Sequence, residues 1–376
     1  MGMFFIAAIL IVLIAIPLSL GLGEAILGRV IENAHKQGRL DQPTERGSHT
    51  IPTPRAGGLA IAPLVIAAAT LVLMARYFFA GAFPGGSGGY LAAGWRALIL
   101  GGAVAAVIGY WDDVNGLPVK PKMIGQFVAA GFVALLIGRF GTACFWGVHV
   151  NLPAILMMGV AFAWVWYLMN AVNFMDGMDG MVSVFTLNCL AGFALMAGRT
   201  PNGSNAGEIL LILAVFAGVM IAFNRRNTTQ KQEEKTFMGD CGSQFVGLAL
   251  AALALVLTRT PDGKTVDFTA PVILFYPFLF DTLLAIGRRA WRGENIFKAH
   301  HEHLYQRELE LGDSHAQVRQ RWVRIFLIHL GLAAVVIWFG SGSWLGRLAL
   351  LAAIVPMLAY LRTVMDREML KQETQA

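Results

Sequence analysis

The chain has 376 residues, of which 56% are hydrophobic and only 14% charged, and its mean hydropathy is +0.61. A soluble domain carries about a quarter charged residues, so this composition excludes an ordinary water-soluble globule and indicates a chain that lives in lipid. The net charge of +6 then reads as attraction to anionic headgroups, and no nucleic-acid partner is expected.

Apolar runs bounded by Gly, Pro or charge fall at 3–22, 57–80, 92–111, 124–140, 153–170, 181–198, 207–223, 242–258, 270–287, 323–340 and 344–362. Each is long enough to cross a bilayer as an α-helix. The expected fold is therefore an all-α, polytopic integral membrane protein of about eleven transmembrane helices. No basic residue precedes the first run and Arg29 follows it, which argues for a retained helix with its N-terminus outside rather than a signal peptide. An odd number of spans then puts the C-terminus in the cytoplasm. With that orientation about 22 of the 29 Lys and Arg lie in inner loops, as the positive-inside rule requires. Outer connections are short and rich in Gly, Pro and Asn. The longest inner one, 288–322, is where function is expected. The whole chain, 1–376, reads as one domain. Its cysteines, Cys144, Cys189 and Cys241, suggest no disulfide framework.

Carboxylates cluster at the inner ends of these spans. Asp112 and Asp113 end the third, Asp176 and Asp179 lie between the fifth and sixth, and Asp240 opens the eighth. Ionisable residues near the membrane are expensive and mark polar interiors or pathways. Asn170, Asn173, Asp176 and Asp179 recur every three residues, a step that drifts about 60° on an α-helix and hardly at all on a 3₁₀ turn. All four are expected to line one side of a single cavity, with Gly177 and Gly180 allowing a tight turn. Such hard oxygen ligands suit Mg²⁺, with Mn²⁺ as an alternative ion. Lys120 and Lys122, beside the acidic pair, offer charge to phosphates. The segment 299–307 holds His300, His301, His303 and Arg307; Tyr305 stands where a zinc protease helix would need its second His, so a phosphate-binding loop is expected.

These motifs bring a resemblance. Pro54–Gly58, Asp112-Asp113, Lys122 with Gln126, Asn170–Gly180, Phe237–Ser243 and the His-rich loop stand in the order found in the polyprenyl-phosphate N-acetylhexosamine-1-phosphate transferases. The ordered set spans residues 54–307. The resemblance implies a UDP-sugar donor, undecaprenyl phosphate as acceptor, release of UMP, and a multi-pass protein of a bacterial inner membrane with its active site on the cytoplasmic face. The product would start a cell-envelope glycan such as O-antigen, and a homodimer is compatible with such a chain. It further implies Asp240 and Asn173 at the metal, Phe237 on uracil, Asp179 on uridine and Lys122 on the pyrophosphate. Asp112 or Asp113 would manage the acceptor phosphate, which with Asp176 and Asp240 gives the expected catalytic carboxylates. Asn170, His300, His301, His303 and Arg307 complete the expected substrate contacts. The His loop departs from the phospho-MurNAc-pentapeptide translocase, which has three consecutive histidines, and looks closer to O-antigen-initiating enzymes. A rival class is a secondary transporter, whose ionisable residues sit on broken helices near the midplane; Asp281 is the residue that favours it. A catalytically dead scaffold is a third.

Overall fold

The computed structural model describes residues 2–43, 51–79, 81, 89–138, 142–199, 206–258, 267–295 and 300–375. The connections 82–88 and 201–205, expected to be outer ones, and residues 296–299 of the His-rich loop lie outside the described residues. Among the described residues eleven helices are long and apolar enough to cross a membrane. The protein is a polytopic, all-α membrane protein.

In chain order the helices are α1 (Gly2–Gln37), α2 (Gly58–Phe78), α3 (Tyr90–Asn115), α4 (Val119–Ile137), α5 (Ala154–Phe174), α6 (Met181–Arg199), α7 (Ala206–Asn227), α8 (Gly239–Leu257), α9 (Thr269–Trp291), the short α10 (Leu304–Glu310), α11 (His315–Phe339), α12 (Trp344–Ala352) and α13 (Ile354–Gln375). The last two together make the eleventh span. A hairpin that apolar periodicity did not reveal, β1 (Thr142–Phe145) and β2 (Val148–Asn151), joins α4 to α5. Trp146 and Gly147 turn it with φ of 54° and 74°, the positive-φ geometry favoured by two-residue hairpins.

Several helices outrun the apolar runs that announce them. The link between α3 and α4 is only Gly116-Leu117-Pro118, because nothing before Gly116 stops α3. Gly116 ends it at φ +64°, its N–H bonding back to the Asp112 carbonyl, and Pro118 precedes α4. A left-handed glycine followed by proline is a common helix stop. Asp112 and Asp113 therefore sit in the last turn of α3 and Lys122 in the first turn of α4. Likewise α5 runs to Phe174, so Asn170 and Asn173 are helical. The loop 288–322 is shorter than its span suggested, since α9 runs to Trp291 and α11 starts at His315.

α8 is the hub, buried along nearly its whole length. A helix apolar on every side belongs in the interior, and in lipid close packing of small residues holds helices together. A Cβ on Gly109 of α3 would lie 2.4 Å from the Asp240 carbonyl, and one on Gly58 of α2 would lie 2.3 Å from the Gly242 nitrogen. Both glycines let backbones meet at the start of α8. At the opposite end of the bundle Arg76 of α2, 0% exposed, makes two bonds of 2.7 and 2.6 Å to Glu208 of α7, and Trp95 of α3 donates to the same carboxylate at 3.1 Å. Arg76 thus clamps three helices together rather than marking a water interface.

Candidate active site

The site gathers at the end of the bundle where α3, α5 and α7 finish and α4 and α8 begin. Two chain segments first build its floor. Phe237 N–H bonds the Pro54 carbonyl at 2.8 Å, and Gly57 and Gly58 N–H bond the carbonyls of Phe237 and Met238 at 2.9 Å each. The Pro54–Gly58 motif is thereby zipped alongside Phe237–Gly239, which leads into α8.

Asp240 is the centre. Its Oδ1 accepts from Asn173 Nδ2 at 2.7 Å, and Asn173 also donates to Ser243 Oγ at 2.8 Å. Its Oδ2 is paired with Lys122 Nζ, which lies 2.7 Å from Asp112 Oδ2. One lysine therefore sits between two carboxylates from different helices. Asp112 Oδ1 accepts the Leu117 N–H at 2.7 Å, so this residue also fastens the α3–α4 turn that carries Lys122. Asp113 is differently employed. Its two oxygens accept the backbone N–H groups of Asp240 and Cys241 at 2.8 and 2.9 Å, capping α8 from a neighbouring helix where a negative charge also suits the helix dipole.

A cavity of about 740 Å³ opens here, inside the range of small-molecule sites. Asp113, Asn173, Asp176, Asp179, Phe237 and Asp240 line one side, Asp41, Gln42 and Arg55 another, and His301, Gln306, Leu309, Glu310, Asp313 and His315 close it. Burial, then the charges of Asp240 and Asp113, push the Asp176 carboxyl well above the ordinary carboxylate range, and among the described residues no side chain bonds it. Burial would raise Asp179 as well, but His315 and Lys235 hold it below its usual value. Lys235 Nζ is 2.6 Å from Asp179 Oδ2, and His315 Nδ1 is 3.4 Å from it. Lys235 also lies 5.8 Å from the centre of the Phe237 ring.

Not every expected residue reaches the cavity. Asn173, Asp176 and Asp179 line it as a series, but Asn170 bonds Gln126 Oε1 at 3.2 Å and the Trp166 carbonyl at 2.8 Å. α5 is still helical there, so the drift of each three-residue step carries Asn170 round to α4. Asp112 and Lys122 stand behind Asp240 rather than in the lining. His301 alone of the three loop histidines is in the wall. His300 is half-buried, and burial, then the charges of His303 and Arg289, lower its imidazole pKa. His303 is buried against Asp281. Arg307 pairs with Glu368 of α13, Nε to Oε1 2.6 Å, away from the lining. Asp281 has both oxygens filled, by His303 and by the Leu304 N–H, which removes the feature that favoured a transport pathway. Sequence reasoning gave no role to Arg55, Asp41, Lys235 or His315. Arg55, inside the Pro54–Gly58 motif, was the most legible of them.

The family model of glycosyl transferase family 4 matches residues 95–258. A decaprenyl-phosphate N-acetylglucosaminephosphotransferase of Mycobacterium leprae is 30% identical over 330 residues, covering 80% of this chain and 75% of the relative. This chain belongs to glycosyl transferase family 4. The enzyme of the same description from Mycobacterium tuberculosis is 30% identical over 356 residues, covering 86% of this chain and 81% of its own. A Bacillus subtilis protein named "probable undecaprenyl-phosphate N-acetylglucosaminyl 1-phosphate transferase" is 28% identical over 361 residues, covering 94% and 89%. Family membership makes this chain a sugar-phosphate transferase of polyprenyl-phosphate acceptors, and the cavity wall made by Asp113, Asn173, Asp176, Asp179, Phe237 and Asp240 falls within the span that the family model matches.

Proposed function

We propose that this enzyme transfers N-acetylglucosamine-1-phosphate from UDP-N-acetylglucosamine to undecaprenyl phosphate, releasing UMP, on the cytoplasmic face of a bacterial inner membrane. The observation that carries the reading is the meeting of Asp112, Lys122, Asn173 and Asp240, from four separate helices, beside one polar cavity at a helix-bundle end. A lipid phosphate arrives along the bilayer and a nucleotide from water, so a site at that boundary serves both. The excess of basic residues on the site's side of the chain supports the cytoplasmic assignment, with the N-terminus outside. The sugar follows the names of the relatives, and the product would start a cell-envelope glycan such as O-antigen.

The reaction forms a bond from an acceptor phosphate oxygen to the β-phosphorus of the donor and breaks that phosphorus's bond to the bridging oxygen, which leaves with UMP. Phosphoryl transfer asks the protein mainly for positioning and charge. Lys122, paired with Asp112 and Asp240, offsets the carboxylate charge beside the diphosphate, Phe237 stacks on uracil, and Asp179, held by Lys235 and His315, faces the uridine. Arg55 adds a planar donor fork from the zipped floor.

The donor set fits Mg²⁺. Among the described residues no three Asp, Glu, His or Cys side chains gather into a ready-made cage, and Mg²⁺ is typically held by one or two carboxylates with substrate phosphate and water completing its shell. Asp240 and the Asn173 amide oxygen would hold it, with the Asp176 carboxyl on the same wall; Mn²⁺ takes the same ligands. When bound, the ion supplies Lewis-acid neutralisation of the diphosphate.

UMP release in detergent, measured with undecaprenyl phosphate and a panel of UDP-sugars, tests the reading. UDP-N-acetylglucosamine should be turned over best. Asp240→Asn should lose about 10³-fold or more of turnover, with near-normal folding. Release of UMP from no UDP-sugar would end the proposal, and wild-type turnover by Asp240→Asn at limiting Mg²⁺ would remove the metal assignment.

A further inference from the structure

The loop that closes the cavity is anchored to α9 at three consecutive residues. Glu302 takes Arg289 Nη1 at 3.1 Å and Arg292 Nη2 at 2.6 Å. His303 Nδ1 lies 2.8 Å from Asp281 Oδ2, and the Leu304 N–H donates to Asp281 Oδ1 at 2.7 Å. The next residue, Tyr305, donates its hydroxyl to the Phe174 carbonyl at 3.2 Å. Asp281 and His303 are 1% and 3% exposed, so this pair is sealed from both water and cavity. A buried carboxylate costs several kcal/mol unless its oxygens are satisfied, and here both are satisfied by the loop alone.

We propose that Asp281 is a positioning residue of the transfer site: it fixes the His303 ring and the start of α10 so that His301, Gln306 and Glu310 stand in the cavity wall. The inference rests on the proposed transfer function. A carboxylate at Nδ1 holds an imidazole in the tautomer with its proton on that nitrogen. The ring so fixed stacks on Phe174, centroids 6.1 Å apart, and lies 6.0 Å from the Tyr305 ring. Phe174 directly follows Asn173, whose amide reaches Asp240. Asp281 thus ties the wall carrying His301 to the helix end carrying Asn173, without touching the cavity itself. Asp281 and His303 are 22 residues apart in sequence, and the partnership could only be read in three dimensions.

The test uses the full chain in detergent with Asp281→Asn, His303→Gln and the double variant. UDP-N-acetylglucosamine binding counts the folded sites, and UMP release is read per bound nucleotide. Each single variant should bind with wild-type stoichiometry and lose about 10- to 100-fold in turnover per site, the scale of an outer-shell hydrogen bond. The double variant should be no slower than the worse single one, because both substitutions break one linkage. ¹⁵N-histidine spectra should show one tautomer for His303 in the wild type and a mixture in Asp281→Asn. Wild-type turnover per site in Asp281→Asn, or single losses that multiply, would overturn the proposal. Should Asp281→Asn not fold, His303→Gln carries the same turnover test. A wild-type protein that releases no UMP counts against the transfer function instead, and an unchanged His303 spectrum in Asp281→Asn then still overturns the pairing.

Discussion

Asp113 of α3 receives the backbone N–H of Asp240 at 2.8 Å, so one aspartate holds in place the helix that presents the other. Its sequence neighbour Asp112 points instead to Lys122. The two adjacent acids should therefore fail differently. Asp113→Ala removes a helix cap and should cost about 1–2 kcal/mol of stability, seen as a lower melting temperature in detergent. Asp112→Asn should melt close to wild type and lose turnover. Equal melting of Asp113→Ala and wild type would remove the capping role.

Gly177 and Tyr305 form a second pair that can be tested by exchange. A Cβ on Gly177 would lie 2.2 Å from the Tyr305 hydroxyl oxygen, so Gly177→Ala must push the ring, and α10 with it, off the cavity. Overpacking of this kind costs about 1–3 kcal/mol. Adding Tyr305→Phe removes the clashing oxygen and should restore much of the lost melting temperature. A double variant less stable than Gly177→Ala alone would show that the hydroxyl is not the obstacle.

How much of this was readable beforehand follows from what periodicity can carry. The spans were legible because an unbroken apolar run of about twenty residues matches the thickness of a bilayer and little else. The clustering of Asp112, Asp113, Asp176, Asp179 and Asp240 at one end of the bundle was legible from the same boundaries. The division of labour between Asp112 and Asp113 was not, since it depends on which way α3 is rotated against α8. Asn170 looked like the first member of the cavity series because its spacing is regular, but the helix continues past it and turns it towards Gln126. Asp281 read as an ionisable group adrift in a span, because its partner lies beyond the end of its own helix.

Acid should loosen the cavity wall from outside. Hydrogen bonding from Arg367, burial notwithstanding, together with Arg321, holds the Asp313 carboxyl down at about 2, against an ordinary value of about 4. A carboxylate depressed on folding adds stability that is complete above its unfolded pKa and lost as pH falls through the folded one. Asp313→Asn should therefore melt below wild type at pH 7. The gap should shrink from about pH 4 downward and close near pH 2. A gap that stays constant across melting curves from pH 7 to pH 2 would contradict the assignment.

The clamp at the far end of the bundle predicts a purely structural phenotype. Glu208→Gln leaves Arg76, 0% exposed, with a buried charge that has lost its countercharge, a defect worth about 3–5 kcal/mol. The expected result is a sharply lower melting temperature and poor recovery from membranes. The fraction that folds should keep the wild-type KM for the donor. A changed KM would mean that the two ends of the bundle communicate.

The cap on α8 also bears on how the protein is made. Asp113 emerges from the ribosome 127 residues before the N–H it will accept, and the helices that cover α8, chiefly α2, α3, α5 and α6, all precede it in the chain. Until α8 is inserted, a nascent chain holds Asp113 at a membrane boundary without its partner, and Gly58 and Gly109 face an open seam. The reaction centre thus comes into being only when the bundle closes around its hub. A chain that stalls before Gly239 leaves Asp113 without the two N–H groups it caps and an open seam beside Gly58 and Gly109.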